Sequence, residues 1–178
     1  MEKELPAQKR HALLLSIPNL SRKTCNRKKE ALLSQVWKSA LTSGFAATVP
    51  IPGLSFAADV KILTDEINKY YRAFGLDDKS LQNLADRMDV KVEELKGVIK
   101  SPLMSEVKYD LVVKMLTKAT AGGLMIAEYY ASTIPFIGSL AAGGLSFGTT
   151  YYMLKKCLNQ LSEDAIRVLI NTLKASDV

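Results

Sequence analysis

The chain has 178 residues, of which 48% are hydrophobic and 24% are charged, and its formal net charge is +6. Residues 1–38 contain nine Lys or Arg and three Glu, which accounts for that whole charge, and residues 39–178 are balanced. This composition predicts one globular domain with a sizeable core and excludes a disordered or fibrous chain. The local charge argues against a general nucleic-acid binder, so we expect no nucleic-acid partner. The only two cysteines, Cys25 and Cys157, exclude a disulfide scaffold and favour a reducing, cytoplasmic setting.

The first element is ambiguous. The charged start lacks the apolar core of a signal peptide. Residues 11–17, HALLLSI, then form an apolar run that ends at Pro18. Such a run fits a buried strand and a buried helical turn equally well. Because no later segment resembles a strand, we predict an all-α fold, a multi-helix bundle of helical hairpins with a short orphan extended segment at the N-terminus.

A long helix is predicted from Arg22 to about Ala47, with Ser21 as its N-cap. Its predicted inner face consists of Leu32, Leu33, Val36, Trp37, Ala40 and Leu41. Positive charge crowds its first turns, where it opposes the helix dipole. The residues concerned are Arg22, Lys23, Arg27, Lys28 and Lys29. They are either a solvated face or the contact for an acidic partner.

The remaining pattern is also helical. A break that contains Pro and Gly is predicted at residues 49–53. The next helix is predicted over about 54–73, with Gly75 as its stop. Its predicted buried face consists of Val60, Leu63, Ile67, Tyr70, Tyr71 and Phe74. Short helices are predicted over about 78–88 and 92–99. A long helix then runs from about 102 to 132 with Val107, Leu111, Met115 and Ala119 at regular spacing, and two further helices cover about 139–160 and 162–174.

The inventory of catalytic residues is short. His11 is the only histidine, so a histidine-based metal site or a histidine-activated nucleophile has no partner residues. No Gly precedes a Lys, which excludes the phosphate-binding loop G-x-x-x-x-G-K-[ST]. We predict that Gly143, Gly144 and Gly148 allow helices to approach closely rather than bind phosphate. No catalytic, cofactor-binding or metal-binding residue is assigned.

Two segments have alternative interpretations. Residues 84–95 imitate a helix-turn-helix, but its second helix begins with Glu93 and Glu94, which DNA phosphates would repel, so a packed helical hairpin is favoured. Residues 129–154 are long enough to cross a bilayer, yet Pro135 interrupts them. They fit a buried hairpin, a true span, or a surface that inserts partly into lipid or contacts a partner. That surface would consist of Phe136, Ile137, Leu140, Leu145 and Phe147.

Several stretches in the correct order resemble the interferon-inducible immunity-related GTPases. Lys9 to Ser21, which contains LLLSIPNLS, and the later KKEALLSQVWKSAL are similar to the end of that family's GTP-binding domain and the helix that follows. Residues 70–102 and 160–173, the latter reading QLSEDAIRVLINTL, are similar to its helical domain and its last helix.

The resemblance implies a domain division and a role. Residues 1–20 would be the remnant of a Ras-like GTP-binding domain, with 11–17 as its last strand, and residues 21–178 would be the C-terminal helical domain. The family's GTP- and magnesium-binding residues fall on no position of this sequence, so GTP and magnesium are expected only in a complete member, and this chain is not expected to be an enzyme. The resemblance further implies a role in cell-autonomous innate defence, partners that are a GTP-binding domain or full-length family members, and a cytoplasmic location with peripheral attachment to internal membranes. Membrane insertion by the two hairpins is the first alternative function, and DNA binding is the second.

Overall fold

A computed structural model describes residues 7–16, 18–19, 21–47, 54–101, 109–120 and 135–176. Within these ranges the chain forms seven α-helices and no strand, which confirms the all-α prediction. The helices are α1 (Ala7–Ser16), α2 (Arg22–Ala47), α3 (Leu54–Ala73), α4 (Asp78–Met88), α5 (Val92–Gly97), α6 (Tyr109–Thr120) and α7 (Pro135–Ser176).

The helices build two compact units. Unit 1 comprises residues 1–33, 69–106 and 158–178, and unit 2 comprises residues 34–68 and 107–157. In unit 1 the apolar core is formed by Cys25, Leu32, Tyr70, Tyr71, Phe74, Leu76, Leu81, Ala85, Leu95, Leu158, Leu161, Ala165 and Val168. In unit 2 it is formed by Val36, Ala40, Val60, Leu63, Ile67, Val112, Leu116, Met153, Leu154 and Cys157. The predicted domain boundary at residue 20 concerns a longer parent protein and stays a prediction.

The N-terminal apolar run is helical rather than extended. Residues 11–16 belong to α1, and Leu13 is 54% exposed. The predicted extended segment is therefore wrong within the described residues. The physical reason is that Ala, Gln, Lys, Arg and Leu favour helix, and a helix satisfies backbone hydrogen bonds locally, whereas an isolated strand leaves them unpaired.

Helix α2 begins and ends where the sequence predicts. The Ser21 hydroxyl accepts a hydrogen bond from the Thr24 backbone N–H at 3.1 Å, which confirms Ser21 as the N-cap. Its buried stripe is narrower than predicted, because Trp37 and Leu41 are 48% and 37% exposed. At 100° per residue, Trp37 lies about 120° and Leu41 about 160° around the helix from the centre of its buried stripe.

Helix α3 ends in a glycine cap. Gly75 has φ +61°, the Gly75 N–H donates to the Arg72 carbonyl at 3.1 Å, and the Leu76 N–H donates to the Tyr71 carbonyl at 3.0 Å. This pair of bonds defines the Schellman motif, in which glycine occupies the left-handed position at no steric cost. The predicted stop is thus confirmed, as is the burial of all six residues predicted for the inner face of this helix.

Helices α4 and α5 form a tight pair in unit 1. The Asp77 side chain accepts a hydrogen bond from the Ser80 N–H at 3.1 Å and caps α4. Asp89 adopts a left-handed conformation with φ 53° at the end of α4, which turns the chain toward α5. The Lys96 ammonium and the Asp78 carboxylate, 2.7 Å apart, form an exposed ion pair between the two helices.

The last two helices depart from prediction. Helix α6 buries Val112 and Leu116, whereas Leu111 and Met115 are only half-buried, so the predicted register is off by one residue. Helix α7 is continuous, and the break predicted at residue 161 is wrong. The Ser162 hydroxyl donates to the Asn159 carbonyl at 2.8 Å, so Ser162, where the last predicted helix began, is accommodated inside the continuous helix.

Candidate functional site

Unit 1 contains a cleft of about 380 Å³ that we call the basic cleft. Its walls come from the end of α1 with residues 18 and 19, from α2, from the end of α3, from α4 and from the C-terminal part of α7. All residues that line it belong to unit 1. The cleft therefore forms where five pieces of one unit meet around the glycine-capped end of α3.

Every charged residue that lines this cleft is a cation. These residues are Lys28, Arg72 and Arg87, and no Asp or Glu is among the lining residues. Arg72 and Arg87 are exposed, and within the described ranges neither forms an ion pair. Two guanidinium groups without carboxylate partners leave the cleft with a positive potential that favours an anionic ligand.

Two polar side chains that line the cleft, Lys28 and Asn19, form hydrogen bonds to backbone carbonyls at the end of α3. The Lys28 ammonium donates to the Ala73 carbonyl at 2.6 Å, and Lys28 is only 2% exposed. Burial lowers the pKa of Lys28, while the nearby Cys25 raises it by a smaller amount. The Asn19 amide donates to the Phe74 carbonyl, which leaves the Asn19 Oδ1 atom buried and without a hydrogen-bond donor in the described part of the chain. A buried acceptor without a donor is uncommon and costs free energy.

Apolar side chains complete the walls. Leu15, Leu84, Met88 and Leu169 line the cleft and are half-buried, so part of each remains open to a ligand. A pocket with a few placed polar groups on apolar walls is the usual form of a binding site. The arrangement can bind a group that carries both negative charge and an apolar portion.

Unit 2 contains a different polar feature, a buried cluster of one carboxylate and three hydroxyls. Asp59 is 7% exposed and accepts hydrogen bonds from Ser43 and Ser146, the latter at 2.7 Å to each carboxylate oxygen. The hydroxyl of Thr150 lies 3.0 Å from that of Ser43. Burial raises the pKa of Asp59, and the two serine hydrogen bonds oppose this effect. The cluster joins α2, α3 and α7 by hydrogen bonds and supplies no histidine or lysine that would activate a serine.

Neither feature has the composition of a catalytic or metal centre. Within the described residues no group of three His, Cys, Asp or Glu is placed to hold a metal ion. Both cysteines are buried and free, and burial raises the pKa of Cys157 to about 11 and also raises that of Cys25. A thiol with a raised pKa is a poor nucleophile at neutral pH.

The basic residues predicted to contact an acidic partner do not share one environment. Arg22, Lys23 and Arg27 are exposed, and Lys29 is half-buried. Lys28 instead points into unit 1 and bonds to α3. The accessible set on α2 is therefore smaller than the sequence predicted, and Lys28 belongs to the cleft.

The residues predicted for a membrane or partner surface fall mostly outside the described side chains. Those of Phe136, Ile137, Leu140 and Leu145 are not described. Phe147 is half-buried and stacks on Tyr151, with ring centroids 6.1 Å apart. In the part of the chain that the structure covers, no helix combines the length and hydrophobicity that a membrane span requires.

Two further predictions concern glycines and DNA. Within the described part of the chain, a Cβ placed on Gly144 or Gly148 meets nothing within 4 Å, so no close helix approach is seen there at these two positions. The surroundings of Gly143 lie outside the described side chains. Glu93 and Glu94 are exposed in the first turn of α5, which is six residues long. Their charge opposes phosphate at the place where a recognition helix would contact DNA.

Sequence reasoning missed Asn19, Asp59, Arg72 and Arg87. Asp59 lies four residues before Leu63 and eight before Ile67 on the buried face of α3, a position that helical periodicity could have revealed. The arginines carry no sequence signal of this kind, because only the tertiary fold brings α3 and α4 to one cleft.

The fold defines an all-helical protein whose described residues contain binding features but no catalytic cluster. The family model described as "Interferon-inducible GTPase (IIGP)" matches residues 1–172. The chain is 43% identical over 176 residues to "Interferon-inducible GTPase 5" of Bos taurus, and the match covers 99% of this chain and 38% of that protein. It is 37% identical over 164 residues to "Interferon-gamma-inducible GTPase 10" of Mus musculus, covering 91% of this chain and 36% of that one. The chain belongs to the interferon-inducible GTPase family and spans well under half the length of these relatives.

Proposed function

We propose that this chain acts as the non-catalytic helical domain of an interferon-inducible, immunity-related GTPase. In a complete member it would couple the nucleotide state of a GTP-binding domain to self-assembly and to association with internal membranes in cell-autonomous defence. GTP and magnesium would act only in that other domain. The expected partners are a GTP-binding domain or full-length family members, and the expected place is the cytoplasm, peripherally on internal membranes.

One observation carries this proposal: the chain aligns over 99% of its length with only 38% of a relative named as a GTPase, and its described part is all-helical. The absence from the sequence of a Gly-Lys phosphate loop is consistent with it. Together these features support an interaction domain rather than the GTP-hydrolysing part.

Nucleotide binding provides the first test. The purified chain is titrated with a fluorescent GTP analogue in the presence of magnesium, with the bovine relative as a positive control. We expect a saturable signal from the relative and none from the chain. Saturable, magnesium-dependent binding by the chain would refute a non-catalytic role.

Association provides the second test. The chain is mixed with the portion of the bovine relative that lies outside the aligned region, loaded with GTP or with GDP, and complex formation is followed by light scattering. We expect a complex whose stability depends on the nucleotide. A double variant, Arg22→Glu with Arg27→Glu, removes two exposed cations of α2 that we propose as contacts for an acidic partner, and should weaken that complex. Equal scattering with GTP, GDP and no nucleotide would contradict coupling.

Membrane association is tested separately by flotation with phosphatidylserine-containing vesicles. We propose that Phe147, with Tyr151 and the Lys155 ammonium 6.0 Å from the Tyr151 ring, forms part of the lipid contact on α7. Phe147→Ser should reduce the floated fraction. Leu173→Ser, which changes an exposed apolar residue of the same helix, should not. Recovery of the unaltered chain only in the aqueous fraction would contradict the membrane part of the proposal.

A further inference from the structure

We propose that the basic cleft of unit 1 binds a short acidic peptide segment of a partner protein. The inference does not depend on the coupling role proposed above, because it rests on the chemistry of the cleft alone. Arg72 and Arg87 would contact peptide carboxylates, and the half-buried apolar walls would hold an aliphatic side chain.

The charge of the cleft selects an anion. Arg72 and Arg87 are exposed, and no carboxylate lines the cleft with them. The acidic residues nearest to them in sequence are engaged elsewhere. Asp77 caps α4, and Asp86 accepts a hydrogen bond from Gln82 at 2.8 Å. A guanidinium binds a carboxylate through two parallel hydrogen bonds, which gives an acidic ligand both affinity and orientation.

The apolar lining selects a peptide among anions. Free phosphate and carboxylate ions have no apolar portion and would leave the half-buried apolar side chains of the cleft uncovered. An acidic peptide can place an aliphatic side chain against these walls while its carboxylates meet the cations. Asn19 Oδ1 is shielded from solvent and takes no part in this contact.

The size and walls of the cleft fit the same ligand. Its volume of about 380 Å³ lies at the lower end of the range for small-molecule sites, which suits a few residues of extended chain. The half-buried side chains of Leu84, Met88 and Leu169 give the cleft apolar lining in addition to its cations. A short segment that contains both acidic and aliphatic residues would match both kinds of lining.

The test uses fluorescence anisotropy of a short fluorescein-labelled peptide of alternating Glu and Leu, with the whole chain as the receptor. We expect saturable binding that weakens with added salt. Arg72→Ala and Arg87→Ala should each weaken binding about fivefold. An uncharged peptide of alternating Gln and Leu should bind at least about tenfold more weakly. The absence of saturable binding by the Glu-Leu peptide overturns the proposal.

A charge swap separates binding from misfolding. The double variant Arg72→Glu with Arg87→Glu should lose the Glu-Leu peptide and gain a Lys-Leu peptide, which an unfolded variant could not do. The matched control, Lys79→Glu with Lys91→Glu, makes the same charge change at exposed positions of unit 1 outside the cleft. It should alter affinity by less than about twofold, because neither lysine lines the cleft and salt weakens interactions between exposed charges that are not in contact. Equal losses in both double variants would show general attraction to positive charge and would refute a cleft site.

Competitors identify the ligand class. An excess of inorganic phosphate or of phosphatidylserine vesicles should leave peptide binding unchanged at constant ionic strength. Displacement by phosphate at the same concentration as unlabelled peptide would assign the cleft to small anions instead. Displacement by vesicles that depends on Arg72 and Arg87 would assign it to lipid, and either result overturns the peptide proposal.

Discussion

The two glycines at positions 75 and 148 should respond in opposite ways to the same substitution. At Gly75, φ is +61°, and a Cβ would lie 3.7 Å from the Ser80 Cβ, an ordinary contact. The cost of Gly75→Ala is therefore conformational, about 1–2 kcal/mol for a left-handed L-residue. The lower entropy of the unfolded chain offsets about 0.4–1 kcal/mol of that cost. We expect a net loss of about 1 kcal/mol in the free energy of unfolding.

At Gly148 the same substitution should raise the free energy of unfolding. The residue lies inside α7 and is exposed, and nothing lies within 4 Å of a Cβ placed there. Replacing a helix-interior glycine by alanine stabilises a helix by about 0.5–1 kcal/mol. The two alanine variants should thus differ by about 2 kcal/mol although both add one methyl group.

The assay is urea unfolding of each variant, followed by far-ultraviolet circular dichroism and by the fluorescence of Trp37, the single tryptophan. An unchanged slope with a shifted midpoint assigns the effect to stability. Gly75→Asn is the matched control, because asparagine tolerates the left-handed conformation and should lose less than alanine. A neutral or stabilising Gly75→Ala, or a destabilising Gly148→Ala, would refute the reasoning.

Three further predictions concern buried groups. Asp164→Ala should lower the free energy of unfolding by about 2–4 kcal/mol in urea unfolding, because the buried carboxylate accepts two backbone N–H groups at 2.9 and 3.0 Å and also pairs with Arg167. Glu163→Ala, which removes only the exposed carboxylate that pairs with Arg167, should cost less than about 0.5 kcal/mol. Equal losses in the two variants would contradict this reasoning. Burial raises the pKa of Asp59, so the folded state binds this proton more tightly than the unfolded state does. The resulting contribution to the free energy of unfolding is complete below the ordinary pKa of 3.8 and is lost as the pH rises through the raised pKa. Asp59→Asn should flatten the dependence of the unfolding midpoint on pH in that window, and an unchanged profile would count against the buried carboxylate. Cys157, whose pKa is raised to about 11, should not react with a disulfide reagent at neutral pH until the protein unfolds, and Cys25 should behave in the same way. A fast absorbance change when the reagent is added to the native protein would refute this prediction.

The parts of the fold that the sequence predicted are those set by local chemistry. Helix α3 illustrates this, since the apolar spacing and Gly75 predicted its bounds and six of its buried apolar residues. Predictions of burial were wrong where contacts between helices determine which residues are buried. Trp37 has the same hydrophobic character as Val36, and only the position of neighbouring helices determines which of the two is buried.

The candidate site could be predicted only in part. A basic cluster was evident in the first turns of α2, but the burial of Lys28 depends on the end of α3, 45 residues later. Likewise, Arg72 and Arg87 belong to different helices, and their convergence on one cleft is a property of the folded unit. Local pattern thus identifies elements, whereas the site arises from contacts between residues far apart in sequence.

The carbonyl groups at the end of α3 have a consequence for the order of folding. Arg72 and Tyr71 accept their bonds from the adjacent Gly75 and Leu76, which can form at once. The neighbouring carbonyls of Ala73 and Phe74 accept theirs from side chains 45 and 55 residues earlier in the chain. Loops of that length must close before these two bonds can form, so Lys28 and Asn19 bind the end of α3 only after the N-terminal segment docks. The end of α3 is therefore fully hydrogen-bonded only once the whole unit has folded.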